Sequence, residues 1–281
     1  PPEVVEAYDL PKLRVAASTG EPWTPEAWNW FLEKVCKGRA PILNYSGGTE
    51  IGGGILSGNM LDRDVPPCAF AGPIPGMGAA VVDDAGVPLP DGEVGELALT
   101  VPSIGLSRGL WSAPERFIET YWSKVPDLWI HGDFASVDKN GYWYVHGRSD
   151  DTIKIAGKRT GPSEIEAVLL GTGKVAEAAV IGVPDAIKGS AVVCVCVPAR
   201  GITATPELAD NLKQAVAAAL GASFRPKAIA FVADVPKTRS MKIMRRVVRA
   251  VWLGQAVGDL SGLVNPEAVD DLKAVVASEG A

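Results

Sequence analysis

The chain has 281 residues, 47% of them hydrophobic and 21% charged, and no apolar run nears the roughly 18 residues of a membrane-spanning helix. These figures exclude a disordered chain and a transmembrane helix, and at about 100–200 residues per domain they leave room for two cores. A formal net charge of −6 has the wrong sign for a nucleic-acid surface.

The cysteines, Cys36, Cys68, Cys194 and Cys196, lack metal-ligand spacing and read as buried reduced thiols of a cytoplasmic protein. Cys194 and Cys196, two apart, should share one face of a strand. The first residues, Pro-Pro-Glu, carry neither an initiator Met nor the regions of a secretory signal, so a longer natural polypeptide is expected.

In chain order, apolar runs Leu13 to Ala17 and Pro41 to Tyr45 read as strands flanking a helical pattern from Pro25 to Val35, an α/β arrangement. From about Ala71 to Tyr144 short strands (Ala79 to Val82, Gly95 to Thr100, Tyr142 to Val145) alternate with turns such as Asp84-Ala85-Gly86 and Asp91-Gly92, predicting a β-rich subdomain. Beyond a boundary near Ser149 to Asp151 the pattern becomes α+β. Strands are expected at Thr152 to Ile155, Val175 to Val183, Ala191 to Pro198 and near Ala228 to Val232. Helices are expected over Glu164 to Leu170, Pro206 to Leu220, Ile243 to Leu253 and Pro266 to Val276. Thr205 is placed to cap the second of these helices, and Ser163 with Glu166 has capping-box spacing for the first.

Five separated segments combine glycines with polar residues in ways that core packing does not require. Ser18-Thr19-Gly20-Glu21-Pro22 follows a strand, where α/β sheets bind ligands, although the same residues make an ordinary turn. In Asn44-Tyr45-Ser46-Gly47-Gly48-Thr49-Glu50 the glycines open backbone N–H groups to an oxyanion, Thr49 offers a donor to phosphate and Glu50 an oxygen ligand to Mg²⁺. Trp129-Ile130-His131-Gly132-Asp133 presents two acceptors at Asp133 suited to a ribose diol, with His131 read as structural or surface-lying rather than catalytic. The run from Gly147 to Arg159 concentrates basic residues at a domain junction, which suits phosphate contact and hinge motion or a charged β-hairpin. Finally, Pro236 to Arg246 is a basic loop with Lys242 at its tip, leading into a helix.

In this order the five segments resemble the motifs of the adenylate-forming superfamily, which contains acyl-CoA synthetases, adenylation domains of peptide synthetases and luciferases. The tail from Gly258 to Leu272 resembles the acetyl-, propionyl- and acetoacetyl-CoA synthetase branch. The resemblance implies an AMP-forming acyl-CoA synthetase that uses ATP, Mg²⁺, CoA and a carboxylic acid. The fold class it implies is α/β plus α+β. Residues 1–70 would end the α/β subdomain of the large AMP-binding domain, 71–149 would be its β-rich, barrel-like part, and 150–281 a small mobile α+β domain.

Carried onto this chain, the family motifs imply that Gly20, Glu21 and Pro22 line the adenine side with Tyr45 and Ser46. Thr49 would contact the α-phosphate, Glu50 hold Mg²⁺, Asp133 bind the ribose hydroxyls, Arg148 the ribose end and Arg159 the phosphate. Asp150 would be the hinge, Gly157 the passage for the pantetheine arm of CoA, Gly47 and Gly48 part of the acyl pocket, and Lys242 the adenylation lysine. Arg225 and Lys227 are candidates for the 3′-phosphate of CoA.

The sequence departs from the family pattern at several points. The Gly-rich phosphate loop is expected upstream of Pro1, which implies that these residues alone are inactive. Ser46 stands at the usual adenine-stacking position, one residue after Tyr45. Met241 replaces the Gly that normally precedes the lysine, restricting the loop. Gly47 stands where acetate-specific relatives carry Trp, which predicts an acid larger than acetate. Two other readings stay open: an adenylation domain that loads a carrier protein, and a non-catalytic nucleotide-binding fragment. A DNA-binding role for Lys237 to Arg246 is disfavoured by the brevity of the run and the acidic balance.

Overall fold

A computed structural model describes residues 2–62, 64–149, 151–155, 158–186 and 188–279. The chain divides into two compact units, Pro1–Asp150 and Asp151–Ala281.

The first unit begins with α1 (Pro2–Glu6) and a parallel pair, β1 (Ala16–Ser18) with β2 (Ile42–Asn44). Parallel strands need a crossover connection, and α2 (Pro25–Trp30) supplies it. It starts at Thr24, whose side chain accepts from the Ala27 N–H at 3.3 Å, and Pro25 occupies the first turn where no N–H is needed. The helix continues as a π-turn over Phe31–Val35, so the pattern expected from Pro25 to Val35 is helical throughout, in two forms. Trp28, Cys36, Ala40 and Ile42 bury its inner face.

A glycine-rich hairpin follows, β3 (Ser46–Gly48) and β4 (Gly53–Ser57), with β5 (Gly72–Pro73) antiparallel to β4. The third sheet is an antiparallel meander of β6 (Ala79–Val82), β7 (Gly95–Leu99), β8 (Trp129–Val137) and β9 (Trp143–Arg148). Among the described residues it is an open sheet, not a closed barrel. Between β7 and β8 lies α3 (Pro114–Tyr121), whose Tyr121 ring stacks on Trp129 at 4.2 Å with planes 6° apart. Phe117 and Trp122 close around the same indole, which anchors the start of β8 in a core that includes Ile51, Ile55, Leu56 and Leu97.

In the second unit β10 (Ile153–Ile155) and β11 (Lys158–Thr160) pair antiparallel ahead of α4 (Pro162–Gly171). The central sheet runs β12 (Val175–Asp185), β13 (Gly189–Pro198), β14 (Ala228–Phe231), antiparallel then parallel. The crossover from β13 to β14 is α5 (Pro206–Leu220), begun by Thr205, whose Oγ1 accepts from Leu208 N–H at 3.1 Å. Helices α6 (Arg245–Trp252) and α7 (Pro266–Glu279) complete the unit.

The apolar run in β13 has a physical reason: both faces of this sheet are covered. Cys194 and Cys196 point into the core formed with α4 and α5, whereas Val193 and Val195 point into the core formed with α6 and α7. The two thiols therefore share a face, as their spacing predicts.

Glu166 departs from expectation. Helix α4 starts two residues earlier than the capping-box spacing implies, with Gly161 at its N-cap and no side-chain cap. That places Glu166 inside the helix, where its Oε1 accepts from Val180 N–H and its carboxylate meets the Arg245 guanidinium. The buried amide and guanidinium offer it stronger partners than a helix end does.

Among the described residues no helix is long and apolar enough to cross a membrane.

Candidate functional site

The residues singled out in the first unit lie on three local structures. Gly20 to Pro22 follow β1, with Gly20 at φ +113°, a conformation that favours glycine. The neighbouring strand end is tied to them, since Tyr45 N–H donates to Ser18 O at 2.9 Å. The Tyr45 ring lies over Gly54, where a Cβ would collide with it. Thr49 and Glu50 sit on a 3₁₀ turn, Thr49–Ile51, closed by Gly52 at φ +61°. That turn is braced from behind, because Ser107 N–H donates to Glu50 O at 2.8 Å and Gly52 packs against Gly105. The Glu50 carboxylate folds back over Gly48, and a side chain at residue 48 would displace it.

Asp133 and Arg148 come from paired strands, β8 and β9, in register. Arg148 Nη1 lies 3.6 Å from Asp133 Oδ1 and donates to His131 O at 3.2 Å. Gly132 adopts φ +83°, and a Cβ there would come within 2.9 Å of the guanidinium. The glycine thus gives Arg148 its route along β8.

Between the two carboxylates lies His131, only 3% exposed. Its Nε2 is 3.4 Å from Asp133 Oδ2 and its Nδ1 3.5 Å from Glu50 Oε1. The second approach lies outside hydrogen-bonding direction, and Nδ1 makes no hydrogen bond. Burial pushes the imidazole pKa below its ordinary value, against the pull of Asp133 and Glu50, so the neutral form is favoured. Burial also raises the Tyr121 hydroxyl, with Glu50 adding to the effect. The sequence reads His131 as structural or surface-lying rather than catalytic, and the structure buries it. Its position two residues before Asp133 on one strand was the available signal, but the approach of Glu50 comes from a remote 3₁₀ turn.

In the second unit Lys242 is exposed on a loop whose ends are bridged, Lys237 to Ile243. Thr238 N–H donates to Lys242 O at 2.9 Å, and Lys242 N–H donates to Thr238 Oγ1 at 3.1 Å. Met241 takes φ +65°, a left-handed conformation that favours glycine. The loop base is fixed by the buried Lys237, whose Nζ lies 2.7 Å from both Glu177 Oε2 and Asp234 Oδ1. Arg159 lies on β11, and its side chain, with Asp150 and Gly157, falls outside the described residues. A cavity of about 330 Å³ is lined by Lys188, Ser223, Arg225, Lys227 and Asp185 among others. Lys227 Nζ lies 3.8 Å from Asp185 there, leaving the rim net positive.

Two family models match the chain: "AMP-binding enzyme" over residues 1–111 and "AMP-binding enzyme C-terminal domain" over 164–242. An acetyl-coenzyme A synthetase from Pyrobaculum arsenaticum is 40% identical over 268 residues, covering 95% of this chain and 40% of the relative. Another from Rubrobacter xylanophilus is 40% identical over 278 residues, covering 99% and 43%. The chain thus spans about 40% of the length of these curated relatives. Among solved structures, acetoacetyl-CoA synthetase from Streptomyces lividans superposes with a TM-score of 0.82 over 95% of this chain and 41% of that one, at 24% identity. ATP-bound MatB from Rhodopseudomonas palustris gives 0.71 at 28% identity, over 86% and 45%. With both models matching in the order of the fold, the chain belongs to the AMP-binding enzyme family.

Proposed function

We propose that this chain supplies the C-terminal part of an AMP-forming acyl-CoA synthetase. The observation that carries the reading is the placing of two carboxylates, Glu50 and Asp133, within 3.5 and 3.4 Å of the same buried imidazole, with Arg148 beside Asp133. In this reading residues 1–70 and 71–149 end the AMP-binding domain, residues 150–281 form the mobile domain, and Asp150 is the hinge.

Asp133 accepts hydrogen bonds from the ribose hydroxyls, and Arg148 holds Asp133 and the ribose end. Gly20, Glu21 and Pro22 with Tyr45 and Ser46 border the adenine, while Thr49 and Arg159 contact phosphate. Mg²⁺ is commonly held by one or two carboxylates together with substrate phosphates, and the Glu50 carboxylate on its 3₁₀ turn is an oxygen donor of that kind. Glu50, free to keep its carboxylate folded over the bare Gly48, would hold it, and the ion supplies neutralisation of phosphate charge when bound.

In the first half-reaction the acid's carboxylate oxygen attacks the α-phosphorus of ATP, forming the acyl-adenylate as pyrophosphate leaves. The Lys242 ammonium stabilises the charge that accumulates. In the second, the CoA thiol attacks the acyl carbon and AMP leaves. Gly157 admits the pantetheine arm, Arg225 and Lys227 bind the 3′-phosphate, and rotation at Asp150 exchanges the two faces.

Although the relatives quoted above are named for acetate, the acid is proposed to be larger. A side chain at Gly47 would strike the Gly53 carbonyl on β4, so no indole fills the acyl pocket from that position, and each added CH₂ that fills the space contributes about 0.8 kcal/mol. We infer likewise that residues 1–281 alone do not turn over, since no phosphate-binding loop of the family pattern occurs in them.

Pyrophosphate exchange in the full-length protein, followed by a choice between free CoA and carrier protein, tests the reading. Exchange abolished by Lys242→Ala and acyl transfer to CoA are expected. Exchange unchanged by Lys242→Ala, or transfer to a carrier protein alone, would overturn it. Comparison of kcat/KM for acetate, butyrate, acetoacetate and hexanoate tests the pocket, and a preference for acetate would refute it.

A further inference from the structure

Shortly before the exposed Lys242 stands a buried lysine, Lys237, with 6% of its surface exposed. Its Nζ donates to Glu177 Oε1 on β12 at 2.8 Å and to Asp234 Oδ1 at 2.7 Å. Its backbone is held as well, since its N–H donates to Asn265 Oδ1 at 2.9 Å and its carbonyl accepts from Val264 N–H at 3.0 Å. Asn265, also buried, donates in turn to Asp234 Oδ2 at 2.7 Å and to the Val235 carbonyl at 2.8 Å. Desolvating an ammonium costs free energy that an apolar side chain would not cost. What the charged network adds is direction, because hydrogen bonds fix a position where apolar contacts only fill a volume.

We propose that Lys237 is a positioning residue for Lys242, holding the base of its loop so that the ammonium is presented for acyl-adenylate formation. The inference rests on the role proposed above for Lys242.

The path from one lysine to the other is short and closed. Lys237 pairs with Ile243 across the loop, and Met244 N–H donates to Pro236 O at 2.8 Å beside that pair. Within the loop Met241 N–H donates to Thr238 O at 2.8 Å, and the Thr238 and Ser240 hydroxyls lie 3.0 Å apart. Together with the two bonds between Thr238 and Lys242, these leave the backbone of residues 238–242 little freedom once Lys237 is placed. The Lys242 backbone therefore follows a cluster that ties β12 to the segment after β14 and to the start of α7. Only its side chain stays exposed to reach a substrate. A misplacement of about 1 Å in such a group is enough to cost about a hundredfold in rate. None of these bonds involves β10 or β11, the strands on either side of Gly157.

The two half-reactions separate positioning from general stability. In the full-length protein, below the melting temperature of each variant, ATP–pyrophosphate exchange reads the first. Thioester formation from CoA and a supplied acyl-adenylate reads the second. The acid is whichever of acetate, butyrate, acetoacetate and hexanoate has the highest kcat/KM. Lys237→Met is expected to lower kcat and kcat/KM for exchange together by about ten- to a hundredfold, with KM for ATP and acid kept and thioester formation at the wild-type rate. Asp234→Asn should act in the same direction to a smaller extent, because its amide nitrogen faces either Lys237 Nζ or Asn265 Nδ2, donor against donor.

Equal losses in both half-reactions, a loss confined to KM, or no loss in exchange would make Lys237 a stability residue and overturn the proposal. If Lys237→Met does not fold, Asp234→Asn decides by the same comparison. Lys242→Ala is the control. If it leaves exchange unchanged, the role of Lys242 itself fails. If it abolishes exchange while the other two variants keep it, only the positioning role fails.

Discussion

The Arg245 guanidinium forks onto the Glu166 carboxylate, with Nε to Oε1 at 2.9 Å and Nη2 to Oε2 at 2.6 Å, joining the first turn of α6 to the middle of α4. The side chains are 13% and 9% exposed, so the pair is largely out of water. Breaking such a pair leaves a buried charge without a partner, at a cost of about 3–5 kcal/mol. Arg245→Met is predicted to lose stability of that order in urea unfolding, and Arg245→Met with Glu166→Gln to recover much of it, because the neutral amide oxygen still accepts from Val180 N–H. A double variant no more stable than the single one would contradict this account.

Glu96 in β7 presents a similar hazard in the first unit. It is 1% exposed, pairs with Lys124, and leaves Oε2 unbonded. Lys124→Met should cost more than Glu96→Gln, because only the former strands a buried carboxylate, although Lys124 itself is 42% exposed. The order of the two urea midpoints is the check.

Met241 holds a left-handed conformation that costs a non-glycine residue about 1–2 kcal/mol. Met241→Gly removes that strain but adds chain entropy to the unfolded state, so a net gain of at most about 1 kcal/mol is expected. Met241→Ile, β-branched, should lose stability. On the function proposed above, Met241→Gly in the full-length protein should raise the rate of pyrophosphate exchange, and an unchanged rate would show that the loop does not limit it.

Lys237 and Asp234 set a pH window. At Asp234 burial works upward, but hydrogen bonds from Lys237, Asn265 and the Val235 N–H hold the folded pKa below its ordinary value. Its contribution is present above the unfolded carboxylate pKa and is lost as pH falls through the folded one. At Lys237 burial works downward, yet the bonds to Asp234 and Glu177 raise the folded pKa. That contribution is complete below the unfolded lysine pKa and lost as pH rises through the folded value. The melting-temperature difference between wild type and Lys237→Met should therefore be flat between about pH 4 and 10 and shrink on both sides. A difference independent of pH would exclude the ion pairs as its source.

Burial pushes the Cys196 thiol up to about 12, and Cys194 well above its ordinary value with Cys196 contributing. Burial, with a smaller effect of Glu26, raises Cys68 to about 11. Since the thiolate is the reactive form, native protein at pH 8 should react slowly with a disulfide reagent, with half-buried Cys68 ahead of Cys194 and Cys196. All four should react on denaturation. Rapid native labelling of Cys194 would contradict the packing of β13.

What the sequence determined by itself was local. Thr205 and Pro206 mark the start of α5, the alternation of Val193, Cys194, Val195 and Cys196 marks a strand buried on both faces, and the glycine-rich segments mark the strand ends that carry the candidate site. Such signals depend on periodicity and on backbone freedom, both of which are written in adjacent residues. Tertiary structure decided where long side chains reach. Glu166 has the spacing of a capping residue but bonds to Val180 and Arg245, and His131 lies in an ordinary turn-like motif but comes within 3.5 Å of Glu50, which sits on a remote 3₁₀ turn. A carboxylate or imidazole chooses its partner by burial and distance in space, and contacts between remote segments leave no mark in the local pattern.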